Sequence, residues 1–160
     1  MPELATRFIL QCGKEARDLA GRAFGLPLPE IACRAEWAAG RAALWLGPEE
    51  RLLLAPAGEE GNLARALEAA LEGEPHSLVD VSHRQVALAV NGPRVRELLA
   101  SGCPLDLDPD AFPVGMCTRT VFAKAEVVLW RRSAEEYHLE VGRSFLGYVQ
   151  GWLKEAERGG

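Results

Sequence analysis

Residues 80–83 read Asp-Val-Ser-His, which places an acid, a hydroxyl and an imidazole within four positions: Asp80, Ser82 and His83. Those are the parts of a nucleophilic relay, in which a base sits within about 3 Å of both the nucleophile and an orienting acid. On an extended chain, however, neighbouring side chains point to opposite faces. Asp80 and Ser82 then share one face and His83 takes the other, so the three cannot form a relay among themselves. No G-x-S-x-G nucleophile elbow is present. The expectation is that Asp80 and Ser82 satisfy backbone groups at a strand junction. His83 and Arg84 stand as candidate partner-interface residues. Arg119, in a strand between Thr118 and Thr120, is a third, because a guanidinium can grip a partner's carboxylate by a bidentate pair.

Other chemistry-bearing groups are sparser. His76 falls in a polar turn, and His138 alternates with Leu139 in a strand, where it is expected to face solvent or a partner. Neither has a second ligand at i+2 or i+4, so no metal site is expected. Asp106, Asp108 and Asp110 resemble half a calcium loop. They lack its central Gly and closing Glu, and prolines interrupt them, so the stretch reads as a solvated loop. Neither G-x-G-x-x-G nor a Walker motif appears, so no cofactor-binding residue is assigned. Cys12, Cys33, Cys103 and Cys117 have no CxxC spacing and are expected to be reduced and mostly buried, in a cytoplasmic protein. A net charge of -5 with mixed signs leaves no footprint for nucleic acid or an anionic membrane. No apolar run approaches the ~20 residues that span a bilayer. No basic stretch precedes the first apolar run, so no secretory leader is expected.

The elements that must position these residues follow from periodicity. Strands are expected at 6–12, 31–37, 41–46, 51–55, 77–82, 85–91, 116–123, 125–131 and 136–141. Helices are expected at 14–24, 60–72, a short stretch after Gly92-Pro93, and 144–158 with Ser144 as N-cap. Gly25 and Gly73 are expected to end the first two helices. Three prolines make 103–114 a loop. In the last helix Phe145, Val149, Trp152, Leu153 and Ala156 form an apolar stripe, with Trp152 either core or interface anchor. Trp45 and Trp130 are expected to fill two equivalent cores.

The order of elements repeats. Each half reads strand, helix, three strands, helix. "CRAEWAAGRAALWLGPEERLLL" (33–54) aligns with "CTRTVFAKAEVVLWRRSAEEYHLEV" (117–141), given small insertions. Cys33 then matches Cys117, Leu44-Trp45 matches Leu129-Trp130, and Glu49-Glu50 matches Glu135-Glu136. This predicts an α+β fold of two pseudo-repeated βαβββα halves, compatible with ferredoxin-like split βαβ units and packed into one compact unit. The halves are placed at 1–75, an α/β-plait half, and 76–160.

The stretches "RAALWLGPEERLLLAP", "HSLVDVSHRQVALAVNGPRVRELLASGCPLDLDPDAFPVGMCTRT" and "AKAEVVLWRRSAEEYHLEVGRSFLGYVQGWL" resemble the gamma subunit of heterotetrameric sarcosine oxidase. The resemblance runs from about residue 6 to the end and is most specific from Ser77 to Thr120. It implies kinship with the aminomethyltransferase fold of the glycine cleavage T protein, carried here by Asp80, Ser82, Val90, Gly92 and Leu99 and by the 76–160 half. It also implies a non-catalytic accessory role beside alpha, beta and delta subunits. FAD, FMN and NAD would be held by the larger subunits, and the one-carbon unit from sarcosine would pass to tetrahydrofolate. Folate-using relatives have a glycine-rich hairpin followed by paired acids. Here the matching place reads Ala123-Lys124-Ala125-Glu126-Val127-Val128, which puts folate handling by this chain in doubt.

Overall fold

The computed structural model describes residues 3–159. The chain forms two compact units, Met1–His83 and Arg84–Gly160. In the first, β1 (Leu4–Cys12) leads to α1 (Lys14–Phe24), then β2 (Ala35–Ala38), β3 (Arg41–Gly47), β4 (Glu50–Pro56), α2 (Glu60–Ala70) and β5 (His76–Asp80). In the second, β6 (Gln85–Asn91) leads to α3 (Val95–Ala100), β7 (Cys117–Phe122), β8 (Ala125–Ser133), β9 (Glu136–Gly142), a 3-10 turn at Arg143–Phe145 and α4 (Leu146–Arg158).

The sheets run β2-β3-β4-β1-β5 and β6-β9-β8-β7. The order β1-β4-β3-β2 in the first is reproduced by β6-β9-β8-β7 in the second, so the α+β class and the βαβββα repeat are both present. The strand order refines the expected split βαβ arrangement. Every pairing is antiparallel, so β1 and β2, which flank α1, run in opposite directions. The physical reason is the tight connection of β2, β3 and β4. They close as a meander, and its last strand docks beside β1.

The first unit extends beyond the expected boundary after residue 75. β5 pairs with β1, from Phe8 opposite Asp80 to Cys12 opposite His76, which ties residues 76–80 to the first sheet. The last helix also begins later than expected. Ser144 lies in the 3-10 turn, and Phe145 occupies the cap position of α4.

The repeat is real but its register differs from the letter match. Leu44 pairs with Ala35, and Trp130 pairs with Cys117. Leu44 therefore corresponds to Trp130 and Ala35 to Cys117. Trp45 corresponds to Arg131. A one-residue slip moves a side chain to the other face of a sheet. Accordingly Trp130 is fully buried on the face away from the helices, whereas Trp45 is only half-buried. Cys33 aligns with Gly115 instead of Cys117. Both lead into the first meander strand with positive φ, 61° and 92°, a region that costs a non-glycine residue about 1–2 kcal/mol.

Each sheet buries one face under its own helices. In the first unit Ala16, Ala20 and Phe24 of α1 and Leu63 and Leu67 of α2 pack with Phe8, Leu10, Leu53 and Ala55. The i, i+4 spacing of those helix residues makes one apolar stripe per helix. Gly25 ends α1 in the left-handed region at φ 91°, its N–H donating to Gly21 O. In the second unit Val95, Leu99 and Val149 pack with Val127, Leu129, Tyr137, Leu139 and Val141, and the 103–114 loop adds Leu107 and Phe112.

A buried arginine locks each meander. Arg51 is 2% exposed. Its Nε donates to Pro29 O at 2.7 Å and its Nη1 to Gly47 O at 2.6 Å, and the guanidinium lies 5.9 Å from the centre of the Trp45 ring, its cross-strand neighbour. Arg131 donates to Phe112 O at 2.9 Å and Ala134 O at 3.0 Å, and lies 5.9 Å from the ring centre of its neighbour Tyr137. The pair is the same in both units, with arginine and aromatic exchanged between strands. Either way the cation ties a hairpin turn to the loop that precedes the meander.

Replacing Arg51 by Met keeps the stem and removes the donors. The carbonyls of Pro29 and Gly47 lose their partner, and the expected loss is about 2–4 kcal/mol, read as a lower urea midpoint with the denaturant slope unchanged.

Candidate functional site

The junction that first drew attention is spent on the backbone. After Phe8 opposite Asp80 the β1–β5 ladder runs out. Val81 N–H still donates to Arg7 O at 2.9 Å. The Arg7 N–H donates to the Ser82 hydroxyl at 2.9 Å, and that hydroxyl turns back to Arg7 O at 3.4 Å. Asp80 Oδ1 accepts from Ser82 N at 2.9 Å, an Asx turn. Ser82 is buried with its hydroxyl engaged by the Arg7 peptide unit, and His83 is exposed. Asp80 and Ser82 do what the sequence suggested: they satisfy backbone groups at a strand junction.

The histidines differ from expectation in place. His76 opens β5 instead of sitting in a turn. Its Nδ1 meets Glu74 O at 2.7 Å and its Nε2 meets Glu68 Oε2 at 2.9 Å. The Glu74 carbonyl first, then the Glu68 carboxylate, holds its pKa above the usual imidazole value. His138 was expected at a solvent or partner face but is 5% exposed. Its Nε2 meets Glu140 Oε2 at 2.7 Å. The i, i+2 spacing of the two residues on β9 puts both on one face, and Trp130 covers the imidazole with ring centres 5.5 Å apart. Burying a carboxylate is costly unless it is paired, and His138 is its partner. That i, i+2 spacing was the available signal, and the expectation of an outward His138 passed over it.

The acidic loop is organised by its own side chains. Asp106 accepts from Asp108 N–H and Asp108 from Asp110 N–H, each at 3.0 Å. Among the described residues no group of three or more His, Cys, Asp or Glu is placed to hold a metal ion. No helix among them is long and apolar enough to cross a membrane. All four cysteines are free thiols; Cys12, Cys103 and Cys117 are buried, and Cys33 is half-buried.

The second unit carries a cavity of about 710 Å³. Gln85 of β6, Arg119 and Thr120 of β7, Lys124 and Glu126 of the β7–β8 hairpin, Val128 of β8, Glu140 of β9 and Phe145 line it. Sequence reasoning singled out Arg119 and missed the others. Arg84 is next to Gln85 and exposed, but does not line the cavity, and His83 belongs to the first unit. Ala123, in the left-handed region at φ 54°, forms the hairpin turn that presents Lys124. Val127 and Val128 are buried where folate-using relatives are expected to carry acids. The cavity brings two cations, Arg119 and Lys124, and two carboxylates, Glu126 and Glu140, to one concavity.

The stripe that runs from Phe145 along α4 is partly outward. Val149 is buried, while Phe145 is 43% exposed and Trp152 39%. Trp152 stacks edge-on against Phe122 at 6.2 Å and donates to Ser101 Oγ at 3.1 Å.

Comparison with known proteins places this geometry. Residues 16–158 match the model of the sarcosine oxidase, gamma subunit family. The sarcosine oxidase subunit gamma of Arthrobacter sp is 38% identical over 148 residues, 90% of this chain and 70% of that protein. That of Corynebacterium sp. (strain P-1) is 39% identical over 117 residues, 73% of this chain. This chain spans 57% of that relative's length. Among solved structures, a chain of the heterotetrameric sarcosine oxidase from Corynebacterium sp. U-96, in complex with pyrrole 2-carboxylate, superposes with a TM-score of 0.88 at 30% identity, covering 94% of this chain and 78% of that one. The glycine cleavage system aminomethyltransferase T of Bartonella henselae shares the fold, with a TM-score of 0.71 at 15% identity over 93% of this chain and 43% of that one.

Replacing Ser82 by Ala strips the buried Arg7 N–H of its acceptor. The expected cost is about 1–3 kcal/mol, visible as a lower thermal midpoint, with the far-ultraviolet circular dichroism of the folded protein unchanged.

Proposed function

This chain belongs to the sarcosine oxidase gamma subunit family, and we propose that it serves as the non-catalytic gamma subunit of a multisubunit, flavin-dependent sarcosine oxidase. In this reading the complex demethylates sarcosine oxidatively to glycine and passes the one-carbon unit to tetrahydrofolate. FAD, FMN and NAD reside in the alpha and beta subunits, and a delta subunit completes the assembly in the cytoplasm. The gamma chain contributes a complementary surface, and a specific interface of this kind buries about 1,600 Å² in total.

The observation that carries the reading is the whole-chain likeness to a chain of a heterotetrameric oxidase. The local chemistry agrees with it. Ser82, beside an acid and a histidine in sequence, is committed to the Arg7 backbone. The free thiols support a reducing compartment.

Expressed alone, the chain is expected to be colourless and inactive. Co-expressed with the flavoprotein subunits, it is expected to co-purify with them in fixed stoichiometry. Flavin bound one-to-one to the isolated chain would reverse the assignment.

A stand-alone folate-binding role is the second reading, favoured by the fold shared with the aminomethyltransferase. The Lys124–Val128 segment opposes it, since apolar residues stand at the matching acid positions. Calorimetric titration of the isolated chain with tetrahydrofolate to near-millimolar concentration is expected to show no binding heat, and a saturable isotherm would favour the folate role.

A further inference from the structure

The repeat gives β1 and β6 the same place in their sheets, yet among the described residues only β1 is paired on both sides. β4 lies on one side of β1 and β5 on the other, whereas β6 has β9 alone and forms an edge. Leu44 and Trp130 correspond; opposite them stand Leu52 and His138, and opposite those Ile9 and Ala89. Ile9 therefore corresponds to Ala89, and Arg7 and Gln11 correspond to Ala87 and Asn91. In an antiparallel ladder alternate residues bond one neighbour, and those between them face the other way. Gly92 N–H donates to Glu135 O, as Cys12 N–H does to Glu49 O in the first unit, and Arg143 N–H donates to Arg84 O. The even-numbered residues of β6 thus bond β9, and the backbone groups of Ala87, Ala89 and Asn91 face outward. On β1 the equivalent groups are engaged. Val81 N–H donates to Arg7 O, and Ile9 and Gln11 pair with Val79 and Ser77 of β5.

The open edge is also wetter. Phe8 is buried, and its counterpart Leu88 is half-buried; Ile9 is half-buried, and Ala89 is exposed. Folded proteins protect sheet edges with charged residues, proline, bulges or short strands. The edge strands here are β2, β5, β6 and β7. β2 is four residues long and carries Glu36, β5 is five and carries Asp80, and β7 is six and carries Arg119. β6, Gln-Val-Ala-Leu-Ala-Val-Asn, is seven residues with no charge and no proline, and its pairing with β9 runs without a bulge. Such a row of outward peptide groups is matched by another extended backbone.

We propose that the edge of β6 is completed by an extended segment of the large partner subunit, lying on Ala87, Ala89 and Asn91 as β5 lies on β1, with an apolar side chain beside Val90 as Leu78 stands beside Leu10. The assignment rests on the subunit role given above, in which each assembly holds one gamma chain, so the added strand comes from a different subunit and not from a second copy.

The test is amide hydrogen exchange on the isolated full chain and on the same chain within the assembled oxidase. The amides of Ala87, Ala89 and Asn91 are expected to exchange fast in the isolated chain and at least about 10-fold more slowly in the complex, with those of Leu88 and Val90 slow in both. Ala89→Pro removes one outward donor from an edge strand, where proline is tolerated. It is expected to weaken association with an oxidase assembled without its gamma subunit by about 10-fold. Val121→Pro, at an outward position of the β7 edge, is expected to match the wild type. Association of the wild type without slower exchange at the three amides would overturn the proposal and leave the subunit role standing, and it decides even if the proline variant fails to fold. Equal weakening by both prolines would also overturn it. No association by the wild-type chain would remove both readings. Concentration-dependent protection of the same amides in the isolated chain, with a dimer in sedimentation, would assign the edge to a second copy instead.

Discussion

A buried guanidinium bonded to turn and loop carbonyls is the constraint on which each unit depends. Arg51 and Arg131 sit among apolar side chains, where an unsatisfied cation would cost several kcal/mol. Each is tolerable because a hairpin turn and an incoming loop offer carbonyls at 2.6–3.0 Å and an aromatic ring flanks it. The dependence runs both ways. The cation joins a turn to a loop, so it fixes where each meander starts and how its last hairpin closes. That fixes β4 beside β1 and β9 beside β6. The exchange of arginine and aromatic between strands means that the repeat has kept an interaction while losing the letters that made it.

The same economy governs the Asp80–Ser82 stretch. A strand that ends inside a folded unit leaves backbone groups that must find partners. A short hydroxyl can both accept from and donate to one neighbouring peptide unit, and an aspartate can close the turn behind it. Ser82 and Asp80 are therefore the right residue types for a buried strand end, and this explains their presence without any reaction. His138 and Glu140 repeat the pattern on β9. Two ionisable groups are buried together because each meets the other's need, and Trp130 seals the pair.

Much of this was legible in the residues because it depended on local pattern. The helix at 14–24, the strand at 85–91 and the 103–114 loop follow from a 3.6-residue period, a two-residue period and three prolines. The repeat was legible as an order of elements. Its register was not. The second unit's β7–β8 hairpin is two residues longer per strand, and matching Leu44-Trp45 to Leu129-Trp130 by letter imposes an odd offset. Only cross-strand pairing distinguishes odd from even, and pairing is non-local. β5 was misplaced across the boundary for a similar reason: its own residues form a strand equally well in either sheet, and β1 decides. His138 was misjudged because alternation identifies two faces without saying whether one of them is exposed. When both faces are buried, a polar residue is legible only through its partner, and Glu140 two positions on was that partner.

The division of polar groups follows from these constraints. Inside the units, the named polar side chains are engaged with turns, strand ends or each other. At one end of the second sheet Arg119 and Lys124 line a cavity together with Glu126 and Glu140, and Arg143 N–H meets Arg84 O beside the Gln85–Gly142 pair. Arg131 shows what a structural arginine looks like in this protein: buried, with its turn and loop carbonyls in place. Arg119 and Lys124 are instead exposed. The buried cation closes the fold, and the exposed ones share their cavity with carboxylates of opposite charge.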